Sequence, residues 1–255
     1  VTDLALDLFS TEQLPSTVNI LLYGPAGAGK STAAASAPGP VMFINLEGPN
    51  ALHFARKSAR DADTEVLEVR VDWGEDPRAY FRESFVAAKE RGVNTIVIDT
   101  LGKLRDGIAF NIGGESPSLP QWGQVGKAMT TILRELRDSD MNTVLICHER
   151  VLDSDTGDRI VEPLVGGKTT TEAMAEVDVI AYCGAVRDEN GTRYLAQLVE
   201  SKGRRAKDRS GALGDVVELN LTDVIASYLA SFIDDSLPFD EELDGCYCEL
   251  FGEFH

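Results

Sequence analysis

The chain has 255 residues, 43% hydrophobic and 26% charged, enough apolar content to enclose the core of one α/β domain and too much for a disordered segment. No apolar run reaches the roughly 18 to 20 residues of a membrane span, and residues 1–10 carry aspartates without a basic stretch, which argues against a signal peptide. The net charge of −18 disfavours nucleic acid on the sum alone, but residues 234–255 hold eight acidic side chains and no basic one, whereas SKGRRAKDR at 201–209 is a compact basic run.

In chain order, residues 1–17 read as an N-terminal arm with a short apolar patch at 4–9 suited to an edge strand or a docking contact. Residues 18–233 read as one core without internal repeat or linker, and 234–255 as an acidic, mostly irregular tail. Apolar runs at 19–23, 41–45, 64–71, 94–100, 142–148 and 178–186 are strand candidates. Several are continuously apolar, as strands covered on both faces must be. Helical patterns at 30–37, 51–60, 77–91 and 122–138 lie between them. This alternation predicts a mostly parallel sheet sandwiched by helices. RYLAQLVESK and GDVVELNL then read as an antiparallel extension, and LTDVIASYLASFI as a last helix. Two of the four cysteines, Cys147 and Cys183, fall inside apolar runs, and Cys246 and Cys248 form a C-x-C pair without companion ligands. Neither a zinc framework nor a disulfide scaffold fits, and a reducing cytosol is expected.

The strongest chemical signal is Gly24-Pro25-Ala26-Gly27-Ala28-Gly29-Lys30-Ser31, followed by Thr32. It fits G-x-x-x-x-G-K-[ST] between an apolar strand and a helix, the context in which such a loop wraps a phosphate with backbone N–H groups. Lys30 is expected at the β- and γ-phosphates of ATP, and Ser31 on Mg²⁺. Asp99 ends the run TIVID, where a strand-end carboxylate holds Mg²⁺ largely through water; alone it also reads as a turn cap. Glu47 closes VMFINLE and suits a general base that orients the attacking water, or a turn-forming surface residue. His148 closes TVLICH at the same sheet edge, either as a γ-phosphate sensor or as a satisfied strand-end histidine.

In this order, P-loop, strand-end glutamate, Walker-B aspartate and strand-end polar residue, the chain resembles the RecA-like recombinase core. It is most similar to compact phage RecA-like proteins of the Sak type, with an AAA-type phage nucleotide-binding domain. FINLEGPNALHFARK, VIDTLGKL, QWGQVGKAMTTILRELRDSDMNTVLICHER and LVESKGRRAK carry the resemblance, over roughly residues 18–220. It implies a RecA-like ATPase with Glu47 catalytic and His148 where RecA has glutamine. It also implies single-stranded DNA as a partner, self-assembly into a filament or ring, and residence in a bacterial host's cytoplasm. Two loops are then expected at DNA, residues 105–121 and residues 149–171, with Arg150, Arg159 and Lys168 as phosphate contacts. Trp122 suits base stacking or the anchoring of its own helix. Lys202, Arg204 and Arg205 admit three readings: a DNA patch, cations completing a neighbour's active site, or a solvated basic hairpin. DDSLPFD at 234–240 is similar to the partner-recruiting peptides of single-strand-binding proteins, or is a solubilising tail. RecA's long N-terminal assembly helix and large C-terminal DNA-gathering domain have no counterpart in this sequence, so annealing is expected rather than strand exchange. A ring-forming helicase-like motor, a P-loop kinase and a nucleotide-gated binding protein are the alternatives.

Overall fold

A computed structural model describes residues 14–233 apart from 62, 73–74, 154–158 and 190. The N-terminal patch, Cys246, Cys248 and the acidic tail lie outside the described residues. In chain order the elements are β1 (Asn19–Gly24), α1 (Lys30–Ala34), β2 (Val41–Asn45), α2 (His53–Asp61), β3 (Val66–Arg70), α3 (Pro77–Glu90), β4 (Thr95–Asp99) and α4 (Leu101–Gly113). There follow α5 (Leu119–Arg137), β5 (Asn142–Asp153), β6 (Arg159–Leu164), α6 (Lys168–Glu176), β7 (Val179–Asp188), β8 (Gly191–Gln197), β9 (Lys207–Asp208), β10 (Val216–Glu218) and α7 (Leu221–Ala230).

The sheet runs β10-β8-β7-β1-β5-β4-β2-β3, with β6 added to β5 and β9 to β7. Its six strands from β7 to β3 are parallel, and β8 and β10 extend it antiparallel. This is the expected α/β sandwich. The alternation of side chains along each strand sends Ile20, Leu22, Phe43, Val97 and Ile146 to one core with residues of α1, α2 and α7. Leu21, Tyr23, Ile44, Ile98 and Cys147 go to a second core with α4, α5 and α6. With both faces covered, β1, β2 and β4 are buried along their whole length, which is why they read as unbroken apolar runs.

Two stretches expected to be loops are ordered secondary structure. Residues 105–113 belong to α4 and 119–121 to α5, leaving only a short turn between. Gly113, Gly114 and Pro117 mark that turn, while Leu101, Leu104 and Ile108 at helical spacing bury α4 in the second core. The Gln121 side chain closes it, accepting from the Ser118 N–H at 2.7 Å and donating to the Ile112 carbonyl at 3.0 Å. Past His148, β5 continues to Asp153 and pairs antiparallel with β6, so that 149–153 and 159–164 form a two-stranded arm and 168–171 open α6. Arg150 faces Glu162 across this hairpin and pairs with it, a cross-strand contact that favours the ladder over a loop.

Candidate functional site

Strand register assembles the site. Asp99 at the end of β4 is level with Asn45 on one side and Ile146 on the other. Two residues beyond that level are Glu47, in the turn after β2, and His148, within β5. In the next strand, Gly24 is level with His148. The ends of β1, β2 and β4 and the middle of β5 therefore meet at one edge of the sheet core, where open α/β sheets bind ligands.

The loop leaving β1 requires its glycines. Gly24 has φ of +145°, and a Cβ there would stand 2.3 Å from the Cys183 carbonyl oxygen. At Gly27, φ is +81° and no atom lies within 4 Å of where a Cβ would be, so bare backbone faces the cavity. Lys30 opens α1, 7% exposed, and its ammonium donates to the carbonyls of Gly24 at 2.9 Å and Pro25 at 2.7 Å. Burial pushes its pKa down, opposed by the negative charge of Asp99 among others. The Ser31 hydroxyl donates to Asp99 Oδ2 at 2.7 Å. Asp99 is only 2% exposed, and burial pushes its carboxyl up; the Ser31 hydrogen bond opposes the rise and the nearby Glu47 charge adds to it. A buried carboxylate so destabilised gains from an arriving cation.

Glu47 is held from the start of α4. One oxygen accepts from the buried Thr100 hydroxyl at 2.9 Å, and the other lies 3.3 Å from the Lys103 ammonium on α4. His148 Nε2 is 3.8 Å from the carboxylate, too far for a hydrogen bond but close enough to share a ligand. Lys30, Ser31, Glu47, Asp99 and His148 line one cavity of about 630 Å³ with the loop residues 26–29, Thr32, and Phe54 and Lys57 of α2. That volume is within the range of cavities that enclose small molecules.

The residues fit a nucleoside triphosphate with Mg²⁺. The open backbone at Gly27 offers a phosphate cradle, and the first-turn N–H groups of α1 have no acceptor within the helix. Ser31 and Asp99 are hard oxygen donors already in contact. Among the described residues no group of three or more His, Cys, Asp or Glu is placed to hold a metal by itself. Mg²⁺ typically takes one or two protein oxygens and completes its shell with phosphates and water, which this pair permits.

Thr100, Lys103 and Tyr194 are site residues that sequence reasoning missed. Thr100 and Lys103 follow Asp99 within one helical turn, so their proximity was readable. Tyr194 of β8 carried no such signal: its ring packs on the P-loop, 2.6 Å from where a Cβ on Gly29 would stand. Cys147 and Cys183 are buried behind the loop with their thiols pushed up to about 12 by that burial, consistent with a packing role.

Other expected residues lie apart from this cavity. Lys168 begins α6 and contacts Glu172 at 3.1 Å; Arg159 is exposed at the start of β6. The basic run is folded back on the protein. Arg204 stacks on the Tyr182 ring at 4.8 Å, Arg205 pairs with Glu200 at 2.7 Å, Lys207 donates to the Met174 carbonyl at 2.9 Å, and Arg209 pairs with Asp178 at 2.9 Å. The Tyr23 hydroxyl faces the Arg205 and Val161 carbonyls at 2.6 and 3.1 Å, locking the turn to β6. Lys202 is exposed at the tip of that turn. Trp122 is 36% exposed on α5 beneath the Arg105 guanidinium, outside the buried core.

Among the described residues no helix is long and apolar enough to cross a membrane. No curated protein sequence matches the chain. A crystal structure of a KaiC-like protein from the hyperthermophilic archaeon Pyrococcus horikoshii overlays with a TM-score of 0.45 and 14% identity, covering 72% of this chain and 79% of its own. Residues 16–210 match the AAA_24 family, described as an AAA domain. The match takes in every strand-end residue of the cavity, and the chain accordingly belongs to this AAA domain family, as a nucleotide-binding P-loop ATPase domain on a RecA-like core.

Proposed function

We propose that this domain hydrolyses ATP with Mg²⁺ and couples hydrolysis to assembly on single-stranded DNA, as an annealing or recombination protein of the phage Sak type. The observation that carries the hydrolytic part is the placement of Glu47. Its carboxylate, fixed by Thr100 and Lys103, shares a cavity with the P-loop and the Ser31–Asp99 pair.

In this reading, the loop backbone and Lys30 bind the phosphates, with Lys30 exchanging the Gly24 and Pro25 carbonyls for phosphate oxygens. Bound at Ser31 and Asp99, Mg²⁺ would neutralise charge on the β- and γ-phosphates. Glu47 accepts a proton from the attacking water, and Thr100 and Lys103 keep its oxygens aimed. His148 donates to the terminal phosphate from the strand that continues, without a break, into the β5–β6 arm. The resemblance in motif order supports DNA as the partner, and the arm gives a direct mechanical link from His148 to any ligand it meets. Arg150, Arg159, Lys168 and Arg205 belong to the DNA side of this reading. Lys202 and Arg204 belong to a trans contact with a neighbouring copy, and of the two Lys202 is the more exposed. Recruitment of a single-strand-binding protein is assigned to the tail.

The test is steady-state ATPase activity with and without single-stranded DNA, beside a Lys30→Ala control. Stimulation that disappears in the control is the expected result. A rate indifferent to DNA overturns the coupling and leaves a nucleotide hydrolase with another partner.

A further inference from the structure

A second cavity, about 870 Å³, lies between α5 and α6 and is bounded by Arg105 of α4 and by Gly166 and Gly167 in the turn that precedes α6. Four cations line it, Arg105, Lys127, Arg134 and Lys168, against one carboxylate, Glu172. On a chain of net charge −18 this is a local inversion of sign. Trp122 stands at one end, its ring stacked by the Arg105 guanidinium at 4.5 Å and its indole partly open to solvent.

The floor is bare. Gly123 and Gly126 face open space, with no atom within 4 Å of a Cβ at either position, and Gly167 on the opposite wall is equally open. Glycine inside a helix is less favourable than alanine by roughly 1 kcal/mol. Two within one turn of α5, beside an aromatic ring, leave room for a ligand to approach the backbone closely. The remaining polar groups are already organised. Glu172 accepts from the Thr130 hydroxyl at 2.8 Å and meets Lys168; the Thr130 hydrogen bond first, and the Lys168 ammonium after it, hold its carboxyl below the ordinary range. Arg134 lies 3.6 Å from Glu176. In each pair the cation is the exposed partner, Lys168 at 88% and Arg134 at 62%, so phosphate oxygens can reach the cations from solvent.

A flat ring, a guanidinium, a small-residue floor and flanking cations suit a chain of bases joined by phosphates better than a folded protein surface. We propose that this groove binds a single-stranded polynucleotide. One base extends the Arg105–Trp122 stack, and phosphates lie against Lys127, Arg134 and Lys168. The assignment rests on the nucleic-acid reading above and names its site. It also supplies a route to the nucleotide cavity. Arg105 reaches Trp122 from the same turn of α4 whose Lys103 reaches Glu47, and Gly102 packs so closely on β6 that a Cβ would lie 2.9 Å from the Leu164 carbonyl oxygen. A strand that stacks on Arg105 and Trp122 thereby acts on the helix that fixes Glu47.

The chain has two tryptophans, so Trp73→Phe leaves emission from Trp122 alone. Oligothymidylate and oligouridylate are titrated into the full chain with this substitution. Quenching of Trp122 by either is expected, and the stronger of the two identifies DNA or RNA as the source. Gly126→Leu fills the floor and removes a helical glycine, so thermal stability is expected to hold while affinity falls about tenfold or more. Lys127→Ala and Lys168→Ala are each expected to lower the slope of log affinity against log salt by about 0.7. Tight binding with unchanged emission, full affinity in Gly126→Leu and an unaltered salt slope would overturn the groove while leaving DNA-stimulated hydrolysis standing. Absence of any oligonucleotide binding overturns both readings, and quenching by polyglutamate but by neither oligonucleotide assigns the groove to an acidic protein instead.

Discussion

The nucleotide cavity and the α5–α6 groove are made of opposite materials. In the first, the charged groups are sunk in the sheet edge, with Lys30 and Asp99 almost wholly buried and each satisfied by a neighbour from a different element. In the second, Lys168 and Arg134 are 88% and 62% exposed, and only their carboxylate partners Glu172 and Glu176 are more shielded, at 23% and 16%. Burial makes each interaction at the first site expensive to lose. Exposure leaves the second site adjustable and sensitive to salt. A demanding chemical step suits the first arrangement, and reversible contact with a polyanion suits the second.

The largest effect that separates them is expected at Glu47. Glu47→Gln should lower kcat by about 10²- to 10⁴-fold, the usual contribution of a general base, with nucleotide affinity kept. Strand binding in the groove should be untouched, and a parallel loss of oligonucleotide affinity would break the division between the two sites. Thr100→Val keeps the shape of a buried side chain and removes one hydrogen bond to Glu47. A bond of this kind is worth about 0.5–1.5 kcal/mol, so a reduction of kcat by roughly three- to tenfold at nearly constant KM is expected from single-turnover and steady-state kinetics.

On the other side, Glu172→Gln removes the carboxylate that lines the groove. Oligonucleotide affinity should rise about two- to fivefold at low salt and converge with the parent at high salt, with basal ATPase activity unchanged. The smallest effect lies outside both cavities. Asp76 caps α3, accepting from the Arg78 N–H at 3.0 Å and from its guanidinium. Burial alone would raise its pKa, but the Arg78 hydrogen bonds and charge outweigh it and hold the carboxyl below its ordinary value of 3.8. The proton is therefore bound more weakly in the folded state. The stabilisation is fully present above about pH 4 and is lost as pH falls through the lower folded value. Asp76→Ala should cost roughly 1 kcal/mol in thermal or urea unfolding at pH 7 and less below pH 3, with neither cavity affected.

Much of the nucleotide site was legible in the sequence. The P-loop was visible because its eight residues are contiguous and each has a local reason. Asp99, Glu47 and His148 were visible because each ends an apolar run, and parallel strands bring such ends to one edge. The misjudged stretches had mixed signals. In residues 105–121 the glycines and proline at 113–117 outweighed the helical spacing of Leu104 and Ile108 that precedes them. At residues 149–171 the strand pattern continued past His148, but only pairing with β6 makes a polar extension like this stable as a ladder.

Sequence alone thus determined the layer architecture, the phosphate loop and the acidic residues at the strand ends, since periodicity and turn chemistry act over a few neighbouring residues. Tertiary structure decided which cations are available and which are spent. It folded Arg204 onto Tyr182 and Arg209 onto Asp178, set Tyr194 against the P-loop from β8, and brought Arg105, Trp122 and Lys168 around one groove. Those contacts join residues far apart in the chain, and a side chain's charge or ring says nothing of its partner until packing of the helices on the sheet has placed it.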